Sequence, residues 1–303
     1  MLTERWHILG AGAIGTLLAT QLQEAGSKVS LLHRNCAGAE VAPAQLKRYA
    51  QGRVSTHHLT RSSAAAVQEI QGLIITTKAA DVIPALLDVR GKLAADAPVI
   101  LLHNGLGIYE QLINHYPASL TYCGITTEGA YLDNAGDLIH AGHGDTRVGQ
   151  PDGAATARAL SELLEPRGSW LWDADINLSL WRKLMINCAI NPLTAIHGCR
   201  NGELLENPQL REETQALVAE LAAVSAAAGF KQLAATLQKT VAGIIGATAD
   251  NASSMRQDLE RGRATEIEAI TGYCCRRATT LNVPTPLNHR LLQQVRRISM
   301  EKN

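Results

Sequence analysis

The chain has no excess of charge of either sign and no long apolar run. Its 303 residues hold 28 Lys and Arg against 28 Asp and Glu, and no basic cluster marks a surface for nucleic acid. No stretch of about 18 apolar residues is present, and we find no signal-peptide pattern at the start. We therefore expect a small-molecule partner, neither nucleic acid nor a membrane, and a location in the cytoplasm.

The sequence also lacks the cysteine spacing of a zinc ribbon or a disulfide framework. We expect the cysteines to be reduced and structural; they are Cys36, Cys123, Cys188, Cys199, Cys274 and Cys275. His140 and His143 form an HxxH pair in a Gly-rich stretch. Because we expect no acidic or thiol partner around them, we assign no metal.

A glycine turn follows the first apolar run, Trp6 to Leu9, and leads into apolar residues with helical spacing. The turn consists of Gly10, Ala11, Gly12, Ala13, Ile14 and Gly15. In a strand, turn and helix that bind a dinucleotide, the first glycine permits the tight turn. The second lets the backbone approach a pyrophosphate, and the third lets the helix pack on the strand. The context therefore predicts a dinucleotide site.

The end of the second strand-like run, residues 28–33, predicts which dinucleotide binds. A carboxylate there would accept hydrogen bonds from the ribose of NAD, but this chain has His33 and Arg34. A guanidinium suits a 2′-phosphate, so we favour NADP(H). The alternative is that Arg34 is an exposed loop cation.

Two more strand-like runs, 72–78 and 98–107, end in polar residues. Ligands bind beyond the carboxyl ends of parallel strands, which places Lys78 and Asn104 where cofactor and substrate would meet. Each residue could equally be a cap or turn residue. From Leu120 to Gly149, short β-like pieces with turn signals predict an antiparallel extension that closes the first domain.

The second half has a helical texture, with amphipathic stretches over 176–195, 209–229 and 233–248. A boundary near Ala174 gives two domains, 1–174 and 175–303, which suits the length of the chain. The predicted fold class is α/β, an N-terminal Rossmann dinucleotide-binding domain with an antiparallel extension, followed by an all-helical C-terminal domain.

One helix of the second half carries a polar stripe. Lys183, Asn187 and Asn191 recur every four residues through apolar sequence, so they share one helix face. The stripe indicates a site, with a solvent-facing surface as the alternative. Further on, Thr265 and Glu268 predict a capping box that places Glu266 in the first helical turn.

Long motifs in both halves resemble the ketopantoate reductase family between about residues 6 and 290. They are GAGAIG, ITTK, LHNGLG, KLMINCAINPLTAI, NGEL, NASSMRQD and RATEIEAITG. The resemblance implies reduction of 2-dehydropantoate to pantoate by NADPH, a step toward pantothenate and coenzyme A. It also implies a Rossmann domain and a helical domain, with the active site in the cleft between them.

The resemblance implies a role for each matching residue. Lys183 and Glu266 are the catalytic pair, with Lys183 as the proton donor to the developing alkoxide. The substrate-binding set is Asn104, Lys183, Asn187, Asn191, Asn201, Asn251, Ala252, Ser253 and Ser254. Beyond the glycine turn and Arg34, the cofactor set is Lys78, Asn104, Ala130 and Glu266.

The chain departs from the family pattern at Glu128, where relatives often carry a residue such as His. Two other functions stay open. One is reduction of another small 2-keto acid on the same scaffold, because specificity depends on pocket shape. The other is a catalytically silent NADP(H)-binding sensor. The chain is expected to be a monomer or a homodimer.

Overall fold

The structure is a computed structural model that describes residues 6–33, 41–153, 160, 163–164 and 170–302, without the side chains of residues 41–44 and 302. Arg34 and Cys36 lie outside the described residues. The chain forms two compact units: the first runs to His103 and from Ile108 to Asn177, and the second holds Asn104–Gly107 and the chain from Leu178 onward. The predicted boundary near Ala174 did not anticipate that the Asn104–Gly107 loop groups with the second unit.

The first unit is built on a mixed sheet, which has eleven strands within the described residues. In sheet order they are β11 (Trp170–Trp172), β10 (Thr146–Gly149), β7 (Thr121–Thr126), β6 (Val99–Leu101), β5 (Leu73–Ile75), β1 (Trp6–Leu9), β2 (Val29–His33), β4 (Arg53–Ser63), β3 (Val41–Ala50), β9 (Leu138–Gly142) and β8 (Gly129–Leu132).

The centre of this sheet is parallel, as predicted for a dinucleotide-binding domain. Strand β1 pairs with β2 on one side and β5 on the other, and β5, β6 and β7 continue in the same direction. These short strands are buried along almost their whole length. Strands buried on both faces must be apolar throughout, which explains the continuous runs in the sequence.

Antiparallel pairs flank the centre, which confirms the predicted extension. Strand β10 runs antiparallel to β7, and β8 to β9. A long β3–β4 hairpin was not predicted. It turns at Gln51 and Gly52, both with positive φ (48° and 73°), as a two-residue hairpin turn of the favoured type requires. The hairpin connects the central sheet to β9.

The α-helices of the described residues follow the predicted pattern, with three in the first half of the chain and seven in the second. They are α1 (Ala13–Glu24), α2 (Ala79–Val89), α3 (Tyr109–Leu112), α4 (Ile176–His197), α5 (Glu203–Glu206), α6 (Pro208–Ala227), α7 (Lys231–Ala247), α8 (Ser254–Glu260), α9 (Tyr273–Thr280) and α10 (Pro286–Lys302). The second unit has its own buried core, with Leu184, Leu217, Val241 and Ile270 among its members. The three amphipathic stretches correspond to α4, α6 and α7, and the fold class is confirmed.

The predicted capping box at Thr265 and Glu268 is wrong. Residues Glu268–Gly272 form a π-helical turn ahead of α9, and its N-cap, Ile267, makes no side-chain capping hydrogen bond. The Glu268 carboxylate instead accepts hydrogen bonds from Arg296 at 2.5 and 2.8 Å. A two-point contact with a guanidinium is stronger than a single bond to a backbone N–H, so it removes Glu268 from the helix end.

Two expectations from composition can be compared with the described residues. Cys123, Cys188, Cys199, Cys274 and Cys275 are buried free thiols, as expected. No helix in the described part of the chain combines the length and apolar character needed to cross a membrane.

Candidate active site

The glycine turn joins β1 to α1 by a close backbone approach. Gly10 has φ 123°, which favours glycine. A Cβ on Gly15 would lie 2.0 Å from the Gly10 carbonyl oxygen and 2.6 Å from Thr76 Oγ1. The Thr76 hydroxyl donates a hydrogen bond of 2.8 Å to the same carbonyl. Sequence reasoning missed Thr76, although it stands within the ITTK motif at the end of β5.

The middle glycine of the turn, Gly12, has free space beside its Cα. Gly12 is exposed, and apart from Gly12 itself and its two chain neighbours no described atom lies within 4 Å of the position that a Cβ would occupy on it. It precedes α1, whose first turn, with Ala13 and Ile14, contains no acidic residue. The backbone N–H groups of a helix start attract an anion, so this end of α1 can accept a pyrophosphate.

A cavity of about 320 Å³ in the first unit includes part of this turn. It is lined by Leu9, Gly10, Ala11, Leu32, His33, Thr77, Asp81 and Ala85. Burial, and then the charge of Arg61, lower the pKa of His33. Asp81, in the first turn of α2, was also missed; its position three residues after Lys78 at a strand-to-helix junction is the signal that could have found it.

The other predicted cofactor residues of the first unit lie apart along the sheet. Lys78 is half-buried and is the N-cap residue of α2. Ala130 is half-buried in β8 and pairs with His140 of β9. Arg34 lies outside the described residues, so its contact with a 2′-phosphate stays a prediction.

In the second unit, the polar stripe lies on α4 as predicted. Lys183 and Asn187 are half-buried, and Asn191 is 6% exposed. A solvent-facing stripe would expose all three side chains, so that alternative is wrong. Amide groups kept from water on an apolar helix are expected to bind a partner, because an unpaired buried polar group is costly.

The Lys183 ammonium has an altered acidity. Desolvation lowers the pKa of Lys183 to about 8, and the negative charge of Glu266 acts in the opposite direction. A lysine with this pKa is mostly protonated at neutral pH and still releases its proton readily. It therefore fits a general acid that works near physiological pH.

The Asn104–Gly107 loop is fixed against the π-helical turn of the same unit. Asn104 Nδ2 donates a 2.9 Å hydrogen bond to Glu266 Oε2, and Leu106 N–H donates to the Ala269 carbonyl at 3.0 Å. A Cβ on Gly105 would lie 2.4 Å from that carbonyl oxygen. The structure thus brings Asn104 and Glu266 into contact, and the charge of Glu266 acts on Lys183.

The remaining predicted substrate residues form a second group. Asn201 N–H donates to the Asn251 carbonyl at 3.0 Å, and Asn201 Nδ2 donates to Thr248 Oγ1 at 2.9 Å. Asn201 Oδ1 is buried without a partner among the described residues. Ser253 is the N-cap of α8, next to half-buried Ala252 and exposed Ser254.

Ser253 already has structural partners. Its hydroxyl accepts a hydrogen bond from Arg256 N–H at 3.2 Å and receives one from Thr194 Oγ1 at 2.6 Å. An N-cap serine of this kind contributes about 1 kcal/mol to helix stability. A substrate role for Ser253 stays a prediction, and exposed Ser254 has fewer competing contacts.

The expectation that no acidic side chain lies beside His140 and His143 is wrong. Glu128 Oε2 lies 2.6 Å from His140 Nε2, although twelve residues separate them in the chain. The antiparallel pairing of β8 with β9 brings the two together. An acidic partner therefore does stand beside the HxxH pair.

Changing Glu266 to Gln tests the coupling to Lys183. Gln keeps an acceptor for Asn104 Nδ2 but removes the charge that raises the pKa of Lys183. The pKa of Lys183 then falls below its value of about 8, so the decline of kcat/KM at high pH should move to lower pH. The matched control, Asn104→Ala, retains the Glu266 charge, so its kcat/KM should decline at the same high pH as in wild type. If kcat/KM of Glu266→Gln also declined at the wild-type pH, the coupling to Lys183 would be contradicted.

A glycine turn of this geometry on a parallel sheet is typical of a dinucleotide-binding domain, and the matches to known proteins make the chain an oxidoreductase that uses a nicotinamide dinucleotide. Two family models match the chain, "Ketopantoate reductase PanE/ApbA" over residues 6–153 and its C-terminal counterpart over residues 175–299. The chain belongs to the ketopantoate reductase family.

Individual relatives agree with this assignment. A protein of Vibrio cholerae named 2-dehydropantoate 2-reductase is 36% identical over 298 residues, covering 95% of this chain and 96% of that protein. The structure of a PanE/ApbA family ketopantoate reductase from Ralstonia eutropha matches with a TM-score of 0.83 at 26% identity, covering 98% of this chain and 99% of that one. D-mandelate dehydrogenase with NADH and anilino(oxo)acetate has the same fold, with a TM-score of 0.84 at 24% identity and 99% of both chains covered.

Proposed function

We propose that this chain reduces 2-dehydropantoate to pantoate with NADPH, and that Lys183 is the proton donor. The observation that carries the proposal is the lowered pKa of Lys183 in the same unit as the Asn104–Glu266 pair. Relatives of about one-third identity that are named 2-dehydropantoate 2-reductase support the choice of substrate. A sensor without catalysis would not require this acid group.

When bound, the nicotinamide supplies a hydride to the ketone carbon. The carbonyl oxygen then carries a developing negative charge, which the Lys183 ammonium stabilises before transferring one proton to it. The products are the alcohol and the oxidised cofactor, and Lys183 recovers its proton from solvent. Glu266 favours the charged form of Lys183, because its carboxylate raises the pKa that burial lowers.

Neutral side chains would hold the rest of the substrate. Asn187, Asn191 and Asn201 offer amide donors and acceptors suited to a hydroxyl and a carboxylate. Asn201 Oδ1, buried without a partner among the described residues, is an acceptor that the substrate hydroxyl could satisfy. Asn251 to Ser254 would supply further contacts from the start of α8.

The cofactor part of the proposal assigns Gly10 to Gly15, Lys78, Asn104, Ala130 and Glu266 to the dinucleotide. Arg34 would bind the 2′-phosphate that distinguishes NADPH from NADH. We also propose that the chain is a monomer or a homodimer and that it is located in the cytoplasm.

Changing Arg34 to Asp should raise the KM for NADPH by at least an order of magnitude and affect NADH much less. The reason is that charge-assisted hydrogen bonds to a phosphate are worth about 1.5–3 kcal/mol, whereas a carboxylate repels the phosphate. Steady-state kinetics with both cofactors measure the change, with Arg53→Asp as an exposed control in the same unit. An unchanged preference would remove Arg34 from the cofactor site.

The loss of NADPH absorbance with a panel of 2-keto acids tests the proposed function. We expect the highest kcat/KM with 2-dehydropantoate, above 2-ketoisovalerate, pyruvate and phenylglyoxylate. Faster turnover of phenylglyoxylate would assign the chain to mandelate-type chemistry. Binding of NADPH without turnover of any acid would support the sensor instead.

A further inference from the structure

Three metal-ligating side chains meet in the first unit, away from the glycine turn. Glu128 precedes β8, His140 lies in β9 and His143 follows β9. One ligand atom from each lies within 4.8 Å of the others. The His140 and His143 rings have centroids 4.0 Å apart. The pairing of β8 with β9 therefore gathers a carboxylate and two imidazoles.

The carboxylate of this cluster is buried and held in place. The side chains of Glu128 and His140 are 3% and 1% exposed. Glu128 Oε1 accepts from Gln21 Nε2 at 2.9 Å, and Oε2 accepts from Gly144 N–H at 3.1 Å. Within the described residues no Lys or Arg pairs with Glu128, so its charge has only the imidazole beside it. A buried carboxylate without a fixed cation favours a metal ion.

The ring of His140 gives a second, independent indication. His140 Nδ1 is buried and has no hydrogen-bond partner among the described residues, while its Nε2 contacts Glu128. A neutral histidine that binds a metal through one nitrogen carries its proton on the other. The ring can therefore switch tautomer without losing a contact at Nδ1.

We propose that Glu128, His140 and His143 bind one Zn²⁺. Two imidazoles and a carboxylate suit Zn²⁺ much better than Mg²⁺ or Ca²⁺, which prefer oxygen ligands. Ligand atoms of a tetrahedral site lie about 3.3 Å apart when the bonds are about 2.0 Å, so the 2.6 Å His140–Glu128 contact opens by under 1 Å. The single proton of the neutral His140 ring then lies on Nδ1, which has no hydrogen-bond partner among the described residues, and Nε2 is free to bind the ion.

The ion would connect the antiparallel extension to the cofactor-binding half of the sheet. Glu128 is hydrogen-bonded to Gln21 of α1, the helix that begins at the glycine turn. The three protein ligands leave the fourth position of a tetrahedral site for a water molecule, which solvent can supply because His143 is exposed. None of the three protein ligands belongs to the proposed catalytic set, so we expect the ion to act on the stability of the first unit.

Metal binding to the full-length chain, stripped with a chelator, tests the proposal. We expect one equivalent of Zn²⁺ to bind and to raise Tm, because a ligand that binds only the folded state stabilises it. Co²⁺ should give the visible absorption of a four-coordinate site without a thiolate charge-transfer band. A thiolate band would place the ion on cysteine and overturn the proposal, as would the absence of saturable binding.

The variant His143→Ala provides the sharpest comparison, because the residue is exposed and its loss should leave the apo Tm unchanged. We expect it to weaken Zn²⁺ binding by more than the roughly 10–100-fold that loss of an outer contact costs. Glu128→Gln should weaken binding similarly. The matched control His58→Ala removes an exposed histidine of the same unit and should bind as wild type does. Equal affinity in His143→Ala and His58→Ala would overturn the site.

Discussion

Changing Lys183 to alanine should lower kcat by roughly 10²–10³, the range observed when a single oxyanion donor is removed. The ammonium stabilises the developing alkoxide and supplies its proton, and alanine does neither. Dinucleotide affinity should stay close to that of wild type, because the glycine turn is in the other unit. Steady-state kinetics and a fluorescence titration with NADPH measure the two effects separately.

The control for this variant is Lys239→Ala, which removes an exposed lysine of α7. It should have wild-type kcat and Tm. A Lys183→Ala enzyme with near-normal turnover would show that another group donates the proton. A large loss of NADPH affinity in the same variant would instead place Lys183 in the cofactor site.

Changing Gly15 to alanine should abolish dinucleotide binding and lower Tm. Its Cβ would lie 2.0 Å from the Gly10 carbonyl oxygen, and backbone on both sides of the turn must move to accept it. We expect this backbone clash to destabilise the fold by more than the roughly 1–3 kcal/mol that an overpacked side chain costs. Thermal denaturation and NADPH titration measure the effects.

Gly12→Ala separates the fold from cofactor binding. Apart from the residue itself and its two chain neighbours, no described atom lies within 4 Å of the new Cβ. The backbone of Gly12, at φ −76° and ψ −174°, suits any residue. Its Tm should therefore match that of wild type, while NADPH binding should weaken because the Cβ occupies space needed by the pyrophosphate. Full affinity in Gly12→Ala would contradict the assignment of the turn, and Gly243→Ala on α7 serves as the control.

Local patterns explain which parts of the molecule could be predicted. The glycine turn and the Lys183, Asn187 and Asn191 stripe follow from spacings of a few residues, which backbone geometry converts directly into position. The β3–β4 hairpin has a weaker signal, because Gln51 is an unusual residue for a positive φ. Only Gly52 marked that turn.

Contacts between distant residues could not be predicted in this way. Asn104 and Glu266 are 162 residues apart, and Arg296 reaches Glu268 from another helix. The contact between Arg296 and Glu268 explains why the capping box does not form. A capping box is predicted from four consecutive residues, whereas Arg296, which binds the Glu268 carboxylate instead, is 28 residues away in the chain. The resemblance to a family supplied the roles of Asn104 and Glu266 but not the bond between them.

The dependence of kcat/KM on pH for NADPH and 2-dehydropantoate tests the role of Lys183 most directly. The protonated amine is the active form, so a pKa of about 8 predicts a plateau at lower pH. Above it, kcat/KM should decline by about tenfold for each pH unit. A rate that stays constant to about pH 10, near the ordinary pKa of lysine, would contradict Lys183 as a proton donor of lowered pKa.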